Sequence, residues 1–150
     1  MKLVIQRTSQ ASVTINNIIV AEIKKGLVVL VGIENADTQE DIDWLCRKIC
    51  GLRIFSDDDG KMNLSIQDIK GDIIVVSQFT LHASTKKGNR PSYIKAAKPE
   101  IAIPLYEAFK QTLQTHLQKP IQSGEFGADM KVSLINDGPV TIIIDSKEKV

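Results

Sequence analysis

The chain reads as an α+β domain: a mostly antiparallel β-sheet or barrel with two main helices packed on one face. Three observations predict it. Residues 2–33 are a succession of strand-like runs rich in Val and Ile, separated by Gln6 to Gln10, by Asn16-Asn17 and by Lys24-Lys25-Gly26. Residues 38–50 and 99–117 carry apolar side chains at helical spacing. The resulting order of strands, helix, strands, helix, strands favours helices segregated to one face of an antiparallel sheet. At 150 residues, the whole of 1–150 is expected to form a single domain around one core.

The meander opens with residues 3–5. A second strand covers 11–15, whose alternation of small or polar with apolar residues suits a half-exposed position nearer an edge. Asn16-Asn17 supplies the positive φ of a tight turn into residues 18–23, and Lys24-Lys25-Gly26 turns the chain again. Residues 27–33 are apolar throughout and read as a central strand.

Thr38 is placed to cap a helix running to about Cys50, with Asp41 at its third position and Ile42, Leu45, Cys46 and Ile49 on one face. Gly51 ends it. Cys46 and Cys50 lie one turn apart with no nearby ligand to complete a metal site, so they read as helix residues. Residues 52–55 form a short strand, followed by Asp57-Asp58-Asp59-Gly60. A calcium loop counted back from Gly60 would start on Phe55 and close on Ile66, neither of which is a ligand. The acidic stretch is therefore a hairpin turn.

The next strand, Asp72-Ile73-Ile74-Val75-Val76, passes directly into Ser77-Gln78-Phe79-Thr80-Leu81. A continuous apolar run is covered on both faces, and polar side chains at the end of such a strand cost about 1–3 kcal/mol each unless they find partners in backbone or ligand. After it, residues 83–98 carry Lys86, Lys87, Arg90, Lys95 and Lys98 and no acid. A second helix starts near Pro99 and runs to about Leu117, burying Ala102, Leu105, Phe109, Leu113 and Leu117, with Pro104 removing one intrahelical donor. His116 near its end is a surface residue favoured by the helix dipole. A glycine-bracketed loop at 124–129 leads to a strand at 130–135. Asn136-Asp137-Gly138-Pro139 then turns the chain into a last strand at 140–144, and a charged tail follows.

Composition excludes several functions. The formal net charge is +1, so no long-range field draws the whole protein onto nucleic acid, and RNA contact must come from the local patch at 83–98. Neither DNA nor a membrane is expected as a partner. The opening apolar run of three residues is too short for a signal peptide, and no run approaches the ~20 residues of a membrane span, so a cytoplasmic location is expected. No metal or other cofactor is called for.

Pro139 fits poorly in an ordinary Asp-Gly hairpin, because it cannot donate to a strand ladder, and X-Pro is the linkage where a cis bond costs only about 0.5–1 kcal/mol. Taken with Ser77-Gln78-Phe79-Thr80-Leu81, the segment Asn136-Asp137-Gly138-Pro139-Val140-Thr141 resembles the motif pair of the D-aminoacyl-tRNA deacylases. The resemblance extends over essentially the whole chain, through Gln6-Arg7, Arg53-Ile54-Phe55-Ser56-Asp57, Gly60-Lys61-Met62-Asn63, Arg90-Pro91-Ser92 and Gly127-Ala128-Asp129-Met130. Pro104 and the charged tail lie outside that pattern.

The resemblance implies a tRNA-editing carboxylic ester hydrolase. It would cleave the ester between a D-amino acid, or glycine mischarged on tRNA-Ala, and the terminal adenosine, and would spare L-aminoacyl-tRNA. It implies a homodimer in which a cis Gly138-Pro139 enters the partner's site. It implies catalytic roles for Ser77, Gln78 and Thr80, and substrate contacts from Gly138, Pro139, Phe79, Asn136, Met130 and Arg7. Lys86, Lys87 and Arg90 would hold acceptor-stem phosphates.

Two chemistries stay open at Thr80. Its hydroxyl can attack the ester only with an adjacent base, for which His82 is the nearest histidine; otherwise Thr80 orients substrate or water while the ribose 2′-hydroxyl assists, the route the resemblance favours. Backbone amides near Gln78 and Thr80 would hold the oxyanion. Phe79 either stacks on the terminal adenine or points into the core. The rival functions are a non-catalytic RNA- or nucleotide-binding barrel dimer and a structural dimer with Gly138-Pro139 as an interface hook.

Overall fold

The computed structural model describes all 150 residues. It contains strands β1 (Lys2–Ile15), β2 (Ile18–Ile23) and β3 (Gly26–Gly32), then helix α1 (Gln39–Gly51), β4 (Phe55–Ser56), β5 (Met62–Leu64) and β6 (Asp72–Ser77). A 3₁₀ turn at Phe79–His82 precedes helix α2 (Pro99–Leu117), β7 (Gln122–Ser123) and β8 (Lys131–Asp145). The mixed α+β architecture with helices on one face is as the sequence leads one to expect.

The sheet runs β2-β1-β3-β6-β7, with β8 added on β1. The expected strands at 3–5 and 11–15 are one continuous β1, and it lies far from any edge. Its first half pairs antiparallel with β3 (Leu3 opposite Val31) and its second half with β2 (Val13 opposite Ala21). β8 pairs with β1 at both ends, from Lys2 opposite Asp145 to Thr14 opposite Lys131. A strand shared among three partners buries alternate residues on either half, which gives residues 11–15 the alternation of an edge strand.

Two pairings are parallel: β3 with β6 (Val29 opposite Val75) and β6 with β7. Parallel neighbours need a crossover, and the β3-to-β6 crossover is α1 together with the small β4–β5 hairpin. Because β3 and β6 are covered on both faces, their side chains divide between two cores. Leu27, Val29, Val31, Ile73 and Val75 meet α1 and α2 in the main core, while Val28, Ile74 and Val76 join Ala11, Val13, Ala21 and Ile23 in a smaller one.

α1 begins as anticipated: the Asp41 carboxylate accepts from the Thr38 backbone amide at 2.8 Å and from its hydroxyl at 3.3 Å. Gly51 is its last residue rather than the stop, with Leu52 as the cap. Cys46 and Cys50 are buried free thiols, and burial pushes the Cys50 thiol up to about 11. Asp57-Asp58-Asp59-Gly60 is the β4–β5 turn, with the Asp57 carboxylate accepting from the amides of Asp59 and Lys61, each at 3.0 Å. The strand expected at 52–55 is only Phe55–Ser56.

α2 contains Pro104 five residues after its first proline and continues through it. It buries Tyr106 where Leu105 was expected; Leu105 is half-buried against the same core. The Tyr106 hydroxyl donates to the Val75 carbonyl at 3.2 Å, which lets a phenol occupy a core position. No helix is long and apolar enough to cross a membrane.

Candidate active site

β6 delivers its polar end into a cleft. Ser77 is the last residue paired to β3, opposite Val31, and the Gln78 amide donates to the Val31 carbonyl at 2.8 Å. The chain then leaves the strand, sooner than a strand through 77–81 would have it. The Leu81 amide reaches back to the Gln78 carbonyl at 3.3 Å, closing the 3₁₀ turn. The amides of Phe79 and Thr80 precede that first i→i−3 bond and have no acceptor within the turn.

The cleft has a volume of about 320 Å³. Ser77, Gln78 and Phe79 form one wall, and residues 126–130 with Val132 form another. Val31, Ile33, Ala97 and Ala102 complete it. Gly124 leaves room for the second wall: a Cβ there would lie 2.2 Å from the Met130 sulfur and would push the flexible thioether off that backbone.

Phe79 is not in the core. It is 55% exposed and meets Tyr93 edge-on, with ring centroids 5.1 Å apart. Tyr93 belongs to the basic loop, so this contact ties the loop to the rim of the cleft. Lys86, Lys87 and Arg90 stand exposed on that loop, which Ser84 and Ser92 close with reciprocal backbone bonds of 2.8 and 2.9 Å.

Thr80 is half-buried and does not line the cleft; its hydroxyl accepts from Gln78 Nε2 at 2.5 Å. His82 cannot serve as its base as strand alternation would have allowed. The turn carries it to a buried position where Nε2 has no hydrogen-bond partner. His116 lies far along α2, and its carbonyl accepts from Gln67.

The second motif is not a hairpin. Asn136, Asp137, Gly138, Pro139, Val140 and Thr141 lie within β8 as a bulge facing β1, between the pairs Thr8 with Asn136 and Gln6 with Thr141. The Gly138-Pro139 bond is cis. Three side chains pin the bulge. Asn136 Oδ1 accepts from the Val140 amide and its Nδ2 donates to the Thr141 hydroxyl, both at 3.0 Å. Arg7 donates from Nε to the Asp137 carbonyl at 2.9 Å and from its terminal nitrogen to the Ile54 carbonyl at 2.6 Å.

Ser77, Gln78, Phe79 and Met130 are thus brought together in one cleft. Gly138 and Pro139 are exposed and do not line that cleft in their own chain; Arg7 and Asn136 serve the bulge. The sequence reading missed Phe126 and the backbone at 127–129 as lining residues, although the bracketing glycines marked the segment as a shaped loop.

The D-Tyr-tRNA(Tyr) deacylase family profile matches residues 4–145 of this chain. The chain belongs to the D-Tyr-tRNA(Tyr) deacylase family. With 72% identity over 149 residues and 99% of each chain covered, it is similar to the D-aminoacyl-tRNA deacylase of Flavobacterium psychrophilum. The deacylase of the same description from Bacteroides fragilis is 65% identical over 149 residues, again with 99% of each covered. Among solved structures, the c-Myc DNA Unwinding Element Binding Protein superposes with a TM-score of 0.92 at 41% identity, covering 97% of this chain and 98% of that one. A probable eukaryotic D-amino acid tRNA deacylase shares the fold, with a TM-score of 0.81 at 17% identity over 95% of this chain and 97% of that one. This family member is accordingly an enzyme, a deacylase of the hydrolase class.

Proposed function

We propose that this deacylase hydrolyses the ester of D-aminoacyl-tRNA, and of glycine mischarged on tRNA-Ala, in the cytoplasm, and rejects the L-aminoacyl ester. The observation that carries the reading is a division of labour: the polar strand end sits in a cleft, while the pinned Gly138-Pro139 bulge is exposed and lines none of it. A second copy of the chain would bring the two together. The exposed apolar side chains of β8, Val132, Ile135 and Ile143, support such a homodimer.

Selection against L-amino acids has to act at the chiral centre, because a side-chain pocket separates substrates differing by one methylene by only about 1–3 kcal/mol. Backbone carbonyls of a fixed bulge can accept from the substrate ammonium in one configuration and obstruct a side chain in the other. Glycine, having no side chain, passes such a filter.

For hydrolysis, the amides of Phe79 and Thr80 are free to hold the oxyanion. No hydrogen bond ties Thr80 to a base, and its hydroxyl is engaged by Gln78. Water assisted by the ribose 2′-hydroxyl is therefore the attacking group, with Ser77, Gln78 and Thr80 positioning it and Phe79 and Met130 contacting substrate. Lys86, Lys87 and Arg90 hold acceptor-stem phosphates beside the Phe79 rim. The c-Myc element binding likeness favours a second reading, nucleic-acid binding without ester cleavage.

One assay separates the two. Purified protein is incubated with tRNA carrying D-tyrosine or L-tyrosine and ester loss is followed. Cleavage of the D ester with the L ester spared is the expected result. Equal rates, or none on the D ester, would sink the deacylase reading.

A further inference from the structure

A second cleft, of about 420 Å³, opens at the C-terminal end of α1, and the catalytic reading makes no use of it. Trp44, Arg47, Lys48, Gly51, Leu52 and Arg53 line it. Lys48 and Lys149 place their ammonium groups 5.6 and 4.8 Å from the centre of the Trp44 ring, so one indole engages two cations. Arg53 is fixed by the Asn63 side chain and carbonyl, both neutral. None of Arg47, Lys48, Arg53 and Lys149 forms a salt bridge, although nine ion pairs occur elsewhere. Three cations line the cleft and a fourth stands over its tryptophan, none of them in a salt bridge with a carboxylate, which in a protein of net charge +1 is a concentrated positive field.

Position gives the cleft its meaning. Ile54, next to Arg53, and Asp137, next to Gly138, are held by the two ends of one guanidinium, that of Arg7. Arg7 thus links the backbone next to Arg53, which lines the cleft, to the backbone of the Gly138-Pro139 bulge. We propose that it is a second RNA-binding site, taking the phosphodiester backbone of the tRNA whose acceptor end occupies the partner subunit's catalytic cleft. This rests on the two-subunit site proposed above. Each tRNA then meets the basic loop of the subunit that cleaves it and the α1 cleft of the subunit that supplies the bulge. Fixed guanidinium and ammonium donors suit phosphate oxygens, and the contact carries no base specificity.

Trp44 is the only tryptophan in the chain and reports on this cleft alone. The test uses the full-length protein, D-tyrosyl-tRNA, and the D-tyrosyl ester of adenosine as a substrate with no stem. The variant is Arg47→Glu with Lys48→Glu, both exposed, with its fold checked by circular dichroism. tRNA is expected to change Trp44 emission in the unaltered protein. In the variant, KM for D-tyrosyl-tRNA should rise about ten-fold with kcat held, and the slope of log KM against log salt should become shallower by about two. Turnover of the stemless ester should not move. Unchanged KM and salt slope on tRNA, or an emission change that inorganic phosphate reproduces in full, would overturn the second site. If the unaltered protein cleaves neither substrate, it is the deacylase reading that fails.

Discussion

Arg7 donates to the Asp137 carbonyl at 2.9 Å, across from β1 to the bulge in β8, while its other end holds the Ile54 carbonyl at 2.6 Å. One side chain thereby ties the Gly138-Pro139 bulge, already braced by Asn136 and Thr141, to the backbone at Ile54.

Lysine cannot replace it. An ammonium offers its donors from one nitrogen and lacks the planar fork whose separate nitrogens reach the two carbonyls here, and a hydrogen bond to a charged donor contributes about 1.5–3 kcal/mol. Arg7→Lys is expected to lower kcat/KM on D-tyrosyl-tRNA by about ten-fold or more and to narrow the D-to-L rate ratio, measured by parallel ester-loss assays.

Gly138→Ala addresses the bulge itself. Gly138 has φ +135°, where an L residue is strained by about 1–3 kcal/mol. Its added Cβ would also meet Val140 Cγ2 at 2.8 Å and an Arg7 nitrogen at 3.0 Å. Activity on the D ester should fall by an order of magnitude or more, while the far-ultraviolet circular dichroism spectrum stays that of the parent.

On the proposed mechanism, in which the hydroxyl positions rather than attacks, Thr80→Ala retains kcat within about ten-fold. Substrate with a 2′-deoxy terminal adenosine should lose far more, on the order of 10³-fold, as expected when the neighbouring group is removed. The reverse ranking would make Thr80 the nucleophile.

How much of this was legible in the sequence follows from where the interactions are local. The α1 cap, its buried face and the Asp57 turn depend on residues within a few positions of one another, and they appear as expected. The single long β1 was not legible, because its three partners lie up to the far end of the chain and pairing leaves the same alternation an edge strand shows. Hydropathy favours Leu105 over Tyr106 because it ignores the Val75 carbonyl that satisfies the phenol. In the site, Ser77, Gln78 and Phe79 were marked by polarity at a strand end. Phe126 and the 127–129 backbone carry no such mark, since they become a wall only through Met130 and Gly124.

The acid side of the stability profile should rest on Asp41. Burial pushes its carboxyl up, but hydrogen bonds from Lys147, Ser146 and Thr38 outweigh that and hold it well below its ordinary 3.8. A carboxylate depressed in the folded state stabilises above its unfolded value and loses that contribution as pH falls through the folded one. Asp41→Asn should therefore cost about 1–3 kcal/mol at pH 7, with the difference from the parent closing below about pH 4 in urea titrations.

His82 points the other way. It is 4% exposed with Nε2 unpartnered, and a buried unsatisfied nitrogen costs about 1–3 kcal/mol. His82→Leu is expected to raise the urea midpoint, with the D-to-L rate ratio unchanged.

The β1–β8 pairing also has a consequence for synthesis. Lys2 and Asp145 face each other, so β1 waits for its last partner until almost the whole chain has been made. The pairing of β3 with β6, which frames one side of the cleft, closes a far shorter loop. The bulge that would judge chirality is registered on β1 only afterwards. The second wall of the cleft, residues 126–130 with Val132, and the bulge are thus the last parts added, and the site is complete only once β8 has paired with β1.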